Sequence, residues 1–207
     1  MAGRELEFRN AAPPAGERIA IIGAGPAGLT YASLVAERNA VTVFEREHAP
    51  GGAFRYAGKA PLFQEVEADE RSLQTYIDEL VRACAQKRVT FRFGVDVRRE
   101  PGLLAPFDRI VVAAGARYRF GLGAPACFLL DRGLARRLGL RSLFSSPRLR
   151  DWFYFRARQG SAEEFRRLAH PSQTIVVIGD AVKAGKSKEA IASAFAAALL
   201  ESARHGV

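Results

Sequence analysis

The sequence is poor in the residues that build redox disulfides and metal centres. Among its 207 residues are two cysteines, three histidines, one tryptophan and one methionine. Cys84 and Cys127 do not form a Cys-x-x-Cys pair, which excludes a redox-active disulfide and an iron–sulfur cluster within this chain. The histidines are scattered without ligand spacing, so we expect no metal site.

Long apolar runs are also missing. No run approaches the roughly 20 residues that a membrane-spanning helix needs. Residues 1–17 contain two adjacent prolines and charges but lack the apolar core of a signal peptide, and this pattern favours a cytoplasmic protein. The 48% of hydrophobic residues is enough for a sizeable core, and the length suits one domain with room for an appendage.

The stretch from residue 18 to residue 45 has the pattern of a strand, a glycine turn, a helix and a second strand. Residues 18–22 form a short apolar run typical of a strand buried on both faces, and a Gly-x-Gly-x-x-Gly turn follows directly. In such a turn Gly23 allows the tight bend, Gly25 lets the backbone approach a pyrophosphate, and Gly28 lets the helix pack closely on its strand.

The helix after this turn is expected to begin at Pro26 and to run to about residue 38. Proline suits the first helical position because its missing N–H would have no intrahelical partner. The free N–H of Ala27 then points at an anion, with the helix dipole behind it. Glu45 follows Gly23 by 22 residues, a spacing typical of a carboxylate that binds ribose hydroxyls, although an ordinary βα turn is the alternative.

Small residues recur at two further places. Gly51 and Gly52 come soon after Glu45 and suggest a second backbone surface against an extended cofactor, with a flexible loop as the alternative. Ala114 and Gly115 end another buried strand, where small residues permit close approach of a ligand.

The last elements are a buried strand near 175–178 and a helix over 187–203. Asp180, just after this strand, is placed to accept a hydrogen bond from a cofactor hydroxyl, unless it only caps the loop before the helix. The opening of the helix is expected to offer free backbone N–H groups near Ala190 and Ile191.

These patterns predict a three-layer α/β domain with a mainly parallel sheet. A short hairpin could start at residues 95–97, and Cys84 is expected to be buried on the apolar face of its helix. The predicted strands lie near 19–22, 41–44, 89–93, 109–113 and 175–178, and the covering helices over 26–38 and 72–87.

Together the motifs resemble the FAD-binding domain of two-dinucleotide-domain flavoproteins. The shared features, in the family's order, are the glycine turn with its acid, the Gly51–Gly52 pair, Val-Val-Ala-Ala-Gly at 111–115, and the closing Ile-Gly-Asp-Ala strand with its alanine-rich helix. Within that superfamily the chain looks most like the carboxyl-terminal part of old-yellow-enzyme-type iron–sulfur flavoproteins, such as dienoyl-CoA reductase and trimethylamine dehydrogenase. The resemblance covers residues 18–116 and 174–203.

By this resemblance the chain binds FAD. The pyrophosphate would lie on Gly25 to Ala27, Glu45 would hold the adenosine ribose, and Arg46 would flank the adenine. The backbone of Val97 would meet the adenine edge.

By the same resemblance, the flavin half of FAD would contact Asp180 and the helix that follows it. Asp180 would reach the ribityl or pyrophosphate region, and Ala190 and Ile191 would donate N–H groups to the flavin's pyrimidine oxygen, where a helix N-terminus stabilises negative charge. The predicted cofactor-binding residues are Gly23, Gly25, Pro26, Ala27, Gly28, Glu45, Arg46, Gly52, Arg55, Val97, Ala114, Gly115, Asp180, Ala190 and Ile191.

The chain departs from that family in its middle. Where the family builds a complete NAD(P)-binding domain, this chain has only the 58 residues 116–173, without a second Gly-x-Gly-x-x-Gly. We therefore predict an N-terminal extension over 1–17, an FAD-binding domain formed by 18–116 and 174–207, and a short arginine-rich segment over 117–173, here termed the basic insertion.

The basic insertion carries most of the net charge of +9. Its residues 117–167 hold twelve arginines and no lysine against four acids. Phe144, Trp152 and the aromatic residues at 153–155 lie among them, and arginine and aromatic residues are enriched at protein interfaces. A solvated basic face, nucleic-acid binding and a rim for anionic ligands such as acyl-CoA are alternatives, but no nucleic-acid module is recognisable and we expect no nucleic acid.

These observations lead to one functional prediction and one alternative. The prediction is an FAD-binding oxidoreductase subunit that relays electrons to or from a separately encoded flavin or iron–sulfur oxidoreductase subunit docked on 117–167. No residue is an evident catalytic base, so catalytic residues are not assigned. The alternative is a non-redox module that binds ADP or FAD and serves the assembly of a complex.

Overall fold

The computed structural model describes residues 13–57, 69–119, 125, 128–129, 132–134, 146–152 and 156–199. Its strands are β1 (Arg18–Ile22), β2 (Ala40–Glu45), β3 (Thr90–Phe93), β4 (Arg109–Val112), β5 (Ala116–Tyr118), β6 (Arg158–Gly160) and β7 (Thr174–Val177). Its helices are α1 (Pro26–Val35), α2 (Phe54–Ala57), α3 (Glu70–Gln86), α4 (Pro147–Asp151), α5 (Ala162–Arg166) and α6 (Ser187–Leu199). Two 3₁₀ turns lie at Pro101–Leu104 and Gly179–Ala181.

Five parallel strands form the main sheet, in the order β3-β2-β1-β4-β7. The central strand β1 is apolar and buried after its first residue, as a strand between two layers requires. The predicted α/β fold is therefore confirmed: all five predicted strands belong to one Rossmann-like parallel sheet. Because these strands share one direction, their carboxyl ends meet at a single edge, here termed the carboxyl edge, where ligands of such folds bind.

Three helices cover one face of this sheet. Helix α1 lies between α3 and α6 and packs against both. Helix α6 contributes small side chains to this layer, since Ala194, Ala197 and Ala198 are all buried in the core that it shares with α1. Small side chains allow the two helices to approach closely, and this contact holds α6 against the unit formed by β1, α1 and β2.

The helix boundaries differ from the predicted ones by a few residues. Helix α1 ends at Val35, because residues 36–38 form a turn. Helix α3 begins at Glu70, where the Asp69 carboxylate accepts the backbone N–H groups of Arg71 and Ser72. The predicted end of α6 beyond Leu199 lies outside the described residues. No helix in the described part of the chain combines the length and apolarity needed to cross a membrane.

A thinner layer covers the opposite face of the sheet. It includes the 3₁₀ turn Pro101–Leu104 and the short helix α5. Leu104 and Phe165 are buried there with Phe44 of β2 and with Val97. Because Phe165 belongs to α5, within the basic insertion, part of that segment is core of the sheet domain and not surface.

Strand β5, at the start of the basic insertion, pairs with β6 in a two-stranded antiparallel ribbon in which Tyr118 is opposite Arg158. Strand β6 lies directly on the loop after β7. A Cβ atom at Gly160 would overlap the carbonyl oxygen of Ala181 and lie 2.6 Å from that of Val182. The ribbon is therefore packed against the carboxyl edge, while the division of the chain into a nucleotide domain and an insertion stays a prediction.

The hairpin expected to start at residues 95–97 is wrong. Gly94 has a φ of 71°, and the N–H groups of Gly94 and Val95 donate to the carbonyl oxygens of Glu47 and Glu45 at 3.0 and 2.9 Å. These bonds fold the segment back onto the loop after β2, so it does not pair with β3.

Candidate functional site

The glycine turn between β1 and α1 is the centre of the candidate site, and packing explains two of its three glycines. Gly23 has a φ of 109°, and a Cβ atom there would lie 2.5 Å from the carbonyl oxygen of Ala113. A Cβ atom at Gly28 would overlap the carbonyl oxygen of Gly23. The predicted roles of Gly23 in the tight bend and of Gly28 in close helix–strand packing are therefore confirmed.

Packing and backbone conformation do not explain the glycine at position 25. Its φ of −83° is accessible to any residue, and the atom nearest to a Cβ built on it is the Gly52 Cα atom, at 3.9 Å. Nothing in the fold therefore requires glycine at this position. The missing side chain leaves an open backbone surface at the N-terminus of α1, which begins at Pro26 as predicted and has no side-chain N-cap bond.

The second glycine pair lies against this surface. The N–H of Gly51 donates to the carbonyl oxygen of Ala24 at 2.8 Å, and a Cβ atom at Gly52 would lie 3.2 Å from Gly25 Cα. Both glycines have positive φ, at 117° and 52°. The structure thus brings the two glycine segments together, as the sequence suggested for two backbone surfaces around one cofactor.

Glu45 lies at the same place, at the carboxyl end of β2. Its side chain is buried, its Oε2 atom accepts the Ala24 N–H at 2.8 Å, and its Oε1 atom accepts the Glu47 N–H at 3.0 Å. Each carboxylate oxygen retains a second lone pair, so both can also accept from a ribose hydroxyl. The same fixed carboxylate would repel a 2′-phosphate.

Arg46 and Arg55, two further predicted cofactor-binding residues, lie beside Glu47. Arg46 lies 3.3 Å from the Glu47 carboxylate and Arg55 lies 4.0 Å from it, and the Arg55 guanidinium also approaches the ring of Tyr56. The Val97 side chain is fully buried in the second core layer. Val97 as a whole is only 1% exposed, and the contact of its backbone with the adenine edge stays a prediction.

The loop after β7 reaches the glycine turn from the other side. Gly179 has a φ of 61°, and a Cβ atom there would lie 2.9 Å from Ala27 Cβ and 3.5 Å from Ala190 Cβ. The first turn of α1, the loop that carries Asp180, and the first turns of α6 are therefore in contact. These three elements, which are far apart in the sequence, form one side of the carboxyl edge.

Asp180 has two partners within the protein. Its Oδ1 atom accepts the Gly185 N–H at 3.2 Å, and its Oδ2 atom lies 3.5 Å from Nη1 of Arg158. Burial raises the pKa of Asp180, whereas the positive charge of Arg158 lowers it. The cap role and the ligand role considered for Asp180 are thus compatible, because the Gly185 bond occupies only one acceptor position.

Ala190 does not present the free N–H group that the sequence suggested. Its N–H donates to the carbonyl oxygen of Lys186 at 3.1 Å. Because α6 begins at Ser187, its fourth residue already closes the first helical turn, and Ile191 lies one residue deeper. Even the N–H of Lys186, before the helix, is bonded to the carboxylate of Glu189 at 3.0 Å.

The predicted contact region at the end of β4 adjoins both the glycine turn and the basic insertion. Ala114 follows Ala113, whose carbonyl group lies against Gly23. Gly115 has a φ of 73°, and its carbonyl oxygen accepts the Ser161 hydroxyl at 2.7 Å. Sequence reasoning missed Ser161 and Arg158 as neighbours of the site, because no local pattern reveals a contact with residues so distant in the chain.

A comparison with protein families finds the same unit. Residues 21–64 match the NAD(P)-binding Rossmann-like domain. This matched segment contains the last two residues of β1, the glycine turn, α1, β2 and the Gly51–Gly52 pair. The Rossmann-like segment thus coincides with the nucleotide-binding half of the candidate site.

Relatives of the chain are oxidoreductases by name. The glutamate synthase [NADPH] small chain of Mycobacterium tuberculosis (strain ATCC 25618 / H37Rv) is 37% identical over 102 residues, 49% of this chain and 20% of that protein. The probable N-methylproline demethylase of Rhizobium meliloti (strain 1021) is 30% identical over 134 residues, 63% of this chain and 18% of that protein. The chain thus matches about a fifth of the length of these relatives.

A solved structure extends the likeness of fold beyond the Rossmann-like segment. The complex of 2-naphthoyl-CoA reductase with 2-naphthoyl-CoA superposes on 93% of this chain and 41% of that one, with a TM-score of 0.66 and 13% identity. At this identity the likeness concerns the fold alone.

Cys84 lies on α3, where it packs against α1 and is outside the candidate site. Its side chain is fully buried, as predicted, and its Sγ atom lies 3.5 Å from the carbonyl oxygen of Leu29. Burial raises the pKa of the Cys84 thiol to about 11, so the thiol stays protonated and unreactive at neutral pH. Cys127 lies outside the described residues, and the described residues contain no cluster of metal-ligating side chains.

Part of the charge of the basic insertion is paired with opposite charge within the protein. The Glu164 carboxylate forms ion pairs with Arg117 and, at 3.2 Å, with Arg98 of the loop after β3. Trp152 is 40% exposed. Phe144, the residues 153–155 and the arginine pair 136–137 lie outside the described residues, so the docking surface stays a prediction.

Proposed function

We propose that this chain is an FAD-binding subunit of an oxidoreductase. The observation that carries this proposal is the open backbone at Gly25, which packing within the protein does not explain. It lies beside the buried carboxylate of Glu45 and next to the loop of Asp180. A nucleotide pyrophosphate is the kind of group that requires such an open backbone at a helix N-terminus.

The extent of the site favours FAD over a smaller nucleotide. The glycine turn and Glu45 suit the adenosine and pyrophosphate that FAD and NAD share, in line with the matched Rossmann-like segment. On this proposal Asp180 lies beyond the pyrophosphate, where an ADP-only site would have no use for a polar group. FAD supplies hydride and single-electron transfer when bound, and the residues named here bind and orient it.

Purified protein is expected to be yellow, or to become yellow on incubation with FAD and removal of the excess. The test is a visible absorption spectrum, followed by equilibrium dialysis with FAD and, separately, with ADP. FAD is expected to bind more tightly than ADP, because only FAD reaches Asp180. A colourless protein that binds ADP as tightly as FAD would instead support the non-redox assembly module, and a protein that binds neither would refute a nucleotide site.

We further propose that electrons pass to or from a separate flavin or iron–sulfur oxidoreductase subunit that docks on residues 117–167. Two observations support a partner. One relative is named as the small chain of a glutamate synthase, and residues 116–173 carry no second Gly-x-Gly-x-x-Gly turn for a nicotinamide nucleotide. The segment also contains exposed Trp152 and several arginines, and tryptophan and arginine are enriched among the residues that contribute most to binding at protein interfaces.

Charge reversal at Arg136 and Arg137, or truncation of Trp152 to alanine, is expected to release the chain from its native complex while FAD stays bound. The matched control is Arg82→Glu, an exposed arginine on α3 outside the segment. Size-exclusion chromatography of cell extracts, with flavin absorbance as the second readout, measures both effects. The isolated chain should oxidise NADH slowly, and rapid reduction of its flavin by NADH would contradict the need for a partner.

A further inference from the structure

Arg158 is a largely buried arginine that the basic insertion places at the carboxyl edge. Its side chain is only 12% exposed, and its Nη1 atom lies 3.5 Å from Oδ2 of Asp180. Its Nη2 atom donates to the carbonyl oxygen of Gly185 at 3.3 Å, and the N–H of Gly185 donates to Oδ1 of Asp180. One guanidinium group thus holds both the Asp180 carboxylate and the backbone loop that caps it.

We propose that Arg158 is a positioning residue for the cofactor, which keeps Asp180 ionised and oriented toward the ribityl chain of FAD. This inference rests on the FAD-binding function proposed above. It assigns to the basic insertion a second role, because the insertion then completes the cofactor site in addition to offering a surface to a partner.

The charges around Asp180 explain why the arginine is needed. Burial raises the pKa of Asp180 above its ordinary value and Glu189 on α6 adds to the rise, while Arg158 on β6 and the Gly185 N–H lower the pKa without cancelling the rise. An ionised carboxylate accepts hydrogen bonds through both oxygens, whereas a protonated one carries a donor that a ribityl hydroxyl must then accommodate. Arginine is suited to this task because its guanidinium remains charged at every relevant pH.

The position of Arg158 is fixed by the backbone on both sides. Arg158 pairs with Tyr118 across the β5–β6 ribbon. Two residues further along, Gly160 lies so close to the carbonyl groups of Ala181 and Val182 that no side chain fits between them. The guanidinium is therefore delivered by a rigid strand, and a shift of the ribbon would move it relative to Asp180.

Arg158→Gln is expected to weaken FAD binding by about tenfold at pH near 8, the loss of one charge-assisted contact. The loss should grow as the pH is lowered toward about 6, because Asp180 without its arginine protonates at a higher pH than in the wild type. ADP affinity should not change, since ADP ends before Asp180. Arg158→Lys, which keeps the charge, should restore part of the FAD affinity and make the affinity less dependent on pH than it is in Arg158→Gln.

Equilibrium dialysis of the full chain with FAD and with ADP, at both pH values, measures these effects. The control is Arg167→Gln in the same insertion, which should leave FAD affinity unchanged because, among the described residues, Arg167 forms its ion pair with exposed Glu163, at 3.6 Å. In an Asp180→Asn background Arg158→Gln should have no further pH-dependent effect. The double variant thus separates loss of positioning from loss of packing.

Three results would overturn the proposal: unchanged FAD affinity in Arg158→Gln at both pH values, tighter FAD binding in that variant, or a parallel loss of ADP and FAD that indicates general disruption. A wild-type chain that binds neither nucleotide is a different outcome. It would refute the proposed function itself, and it is read from the wild type alone before any variant is compared.

Discussion

Gly25→Val is expected to abolish FAD binding in a protein that still folds. A valine side chain would fill the open space beside the N-terminus of α1, where the pyrophosphate is proposed to lie. Among the described residues, a Cβ atom there comes within 4 Å of Gly52 Cα alone, at 3.9 Å, and the backbone angle of Gly25 is an ordinary one. We expect FAD affinity to fall by about 100-fold or more, equivalent to about 2.7 kcal/mol, in equilibrium dialysis.

Gly102→Val is the matched control for this substitution. Gly102 lies in the 3₁₀ turn Pro101–Leu104, and a Cβ atom built on it meets no atom within 4 Å. The control protein should bind FAD as the wild type does. Urea unfolding should show that Gly25→Val loses only about 1 kcal/mol of stability, the scale of an N-cap change. Wild-type FAD affinity in Gly25→Val would show that the pyrophosphate does not lie on this turn.

Gly28→Ala is expected to lower the free energy of unfolding by about 3 kcal/mol, the upper range for overpacking a core. The added methyl group would overlap the carbonyl oxygen of Gly23 and approach Ala113 Cβ to 3.2 Å. Gly23 cannot yield easily, because its N–H is bonded to the Phe44 carbonyl oxygen at 2.8 Å. Helix α1 must therefore move away from β1, which opens the core between them.

The sign of the effect makes the test decisive. Glycine inside a helix is usually less favourable than alanine by about 1 kcal/mol, so helix propensity alone would make Gly28→Ala more stable. A urea midpoint that falls with an unchanged m value would confirm the close contact of α1 and β1. A midpoint equal to or above that of the wild type would show that the helix lies further from the strand. Gly102→Ala, at an open position, gives the baseline for a glycine-to-alanine change.

The sheet and the adenosine half of the site could be predicted because their signals are local. Each strand is a short apolar run, and the Gly-x-Gly-x-x-Gly turn fixes which strand precedes which helix. The same local spacing placed Glu45 beside the turn, where it accepts the N–H of Ala24. Parallel strands then bring all their carboxyl ends to one edge, so the gathering of Glu45 and Asp180 follows from topology.

The remaining features depend on contacts between distant segments, which no local pattern encodes. From the sequence, Arg158 is one of twelve arginines on a basic surface, yet its side chain is largely buried beside Asp180. Phe165 belongs to the segment predicted as a docking surface, yet it lies in the second core layer. The prediction of a free N–H group at Ala190 is wrong because the helix already begins at Ser187 and the Ala190 N–H closes its first turn.

The order of elements along the chain has a consequence for protein synthesis. Strand β7 and helix α6 come last, after the whole basic insertion, yet β7 pairs with β4 and α6 covers α1. While a ribosome makes the insertion, the nascent chain therefore carries an unpaired edge on β4 and an uncovered apolar surface on α1. Such edges and surfaces invite aggregation and chaperone binding, so the interval before residues 174–199 emerge is the vulnerable stage of this protein's biogenesis.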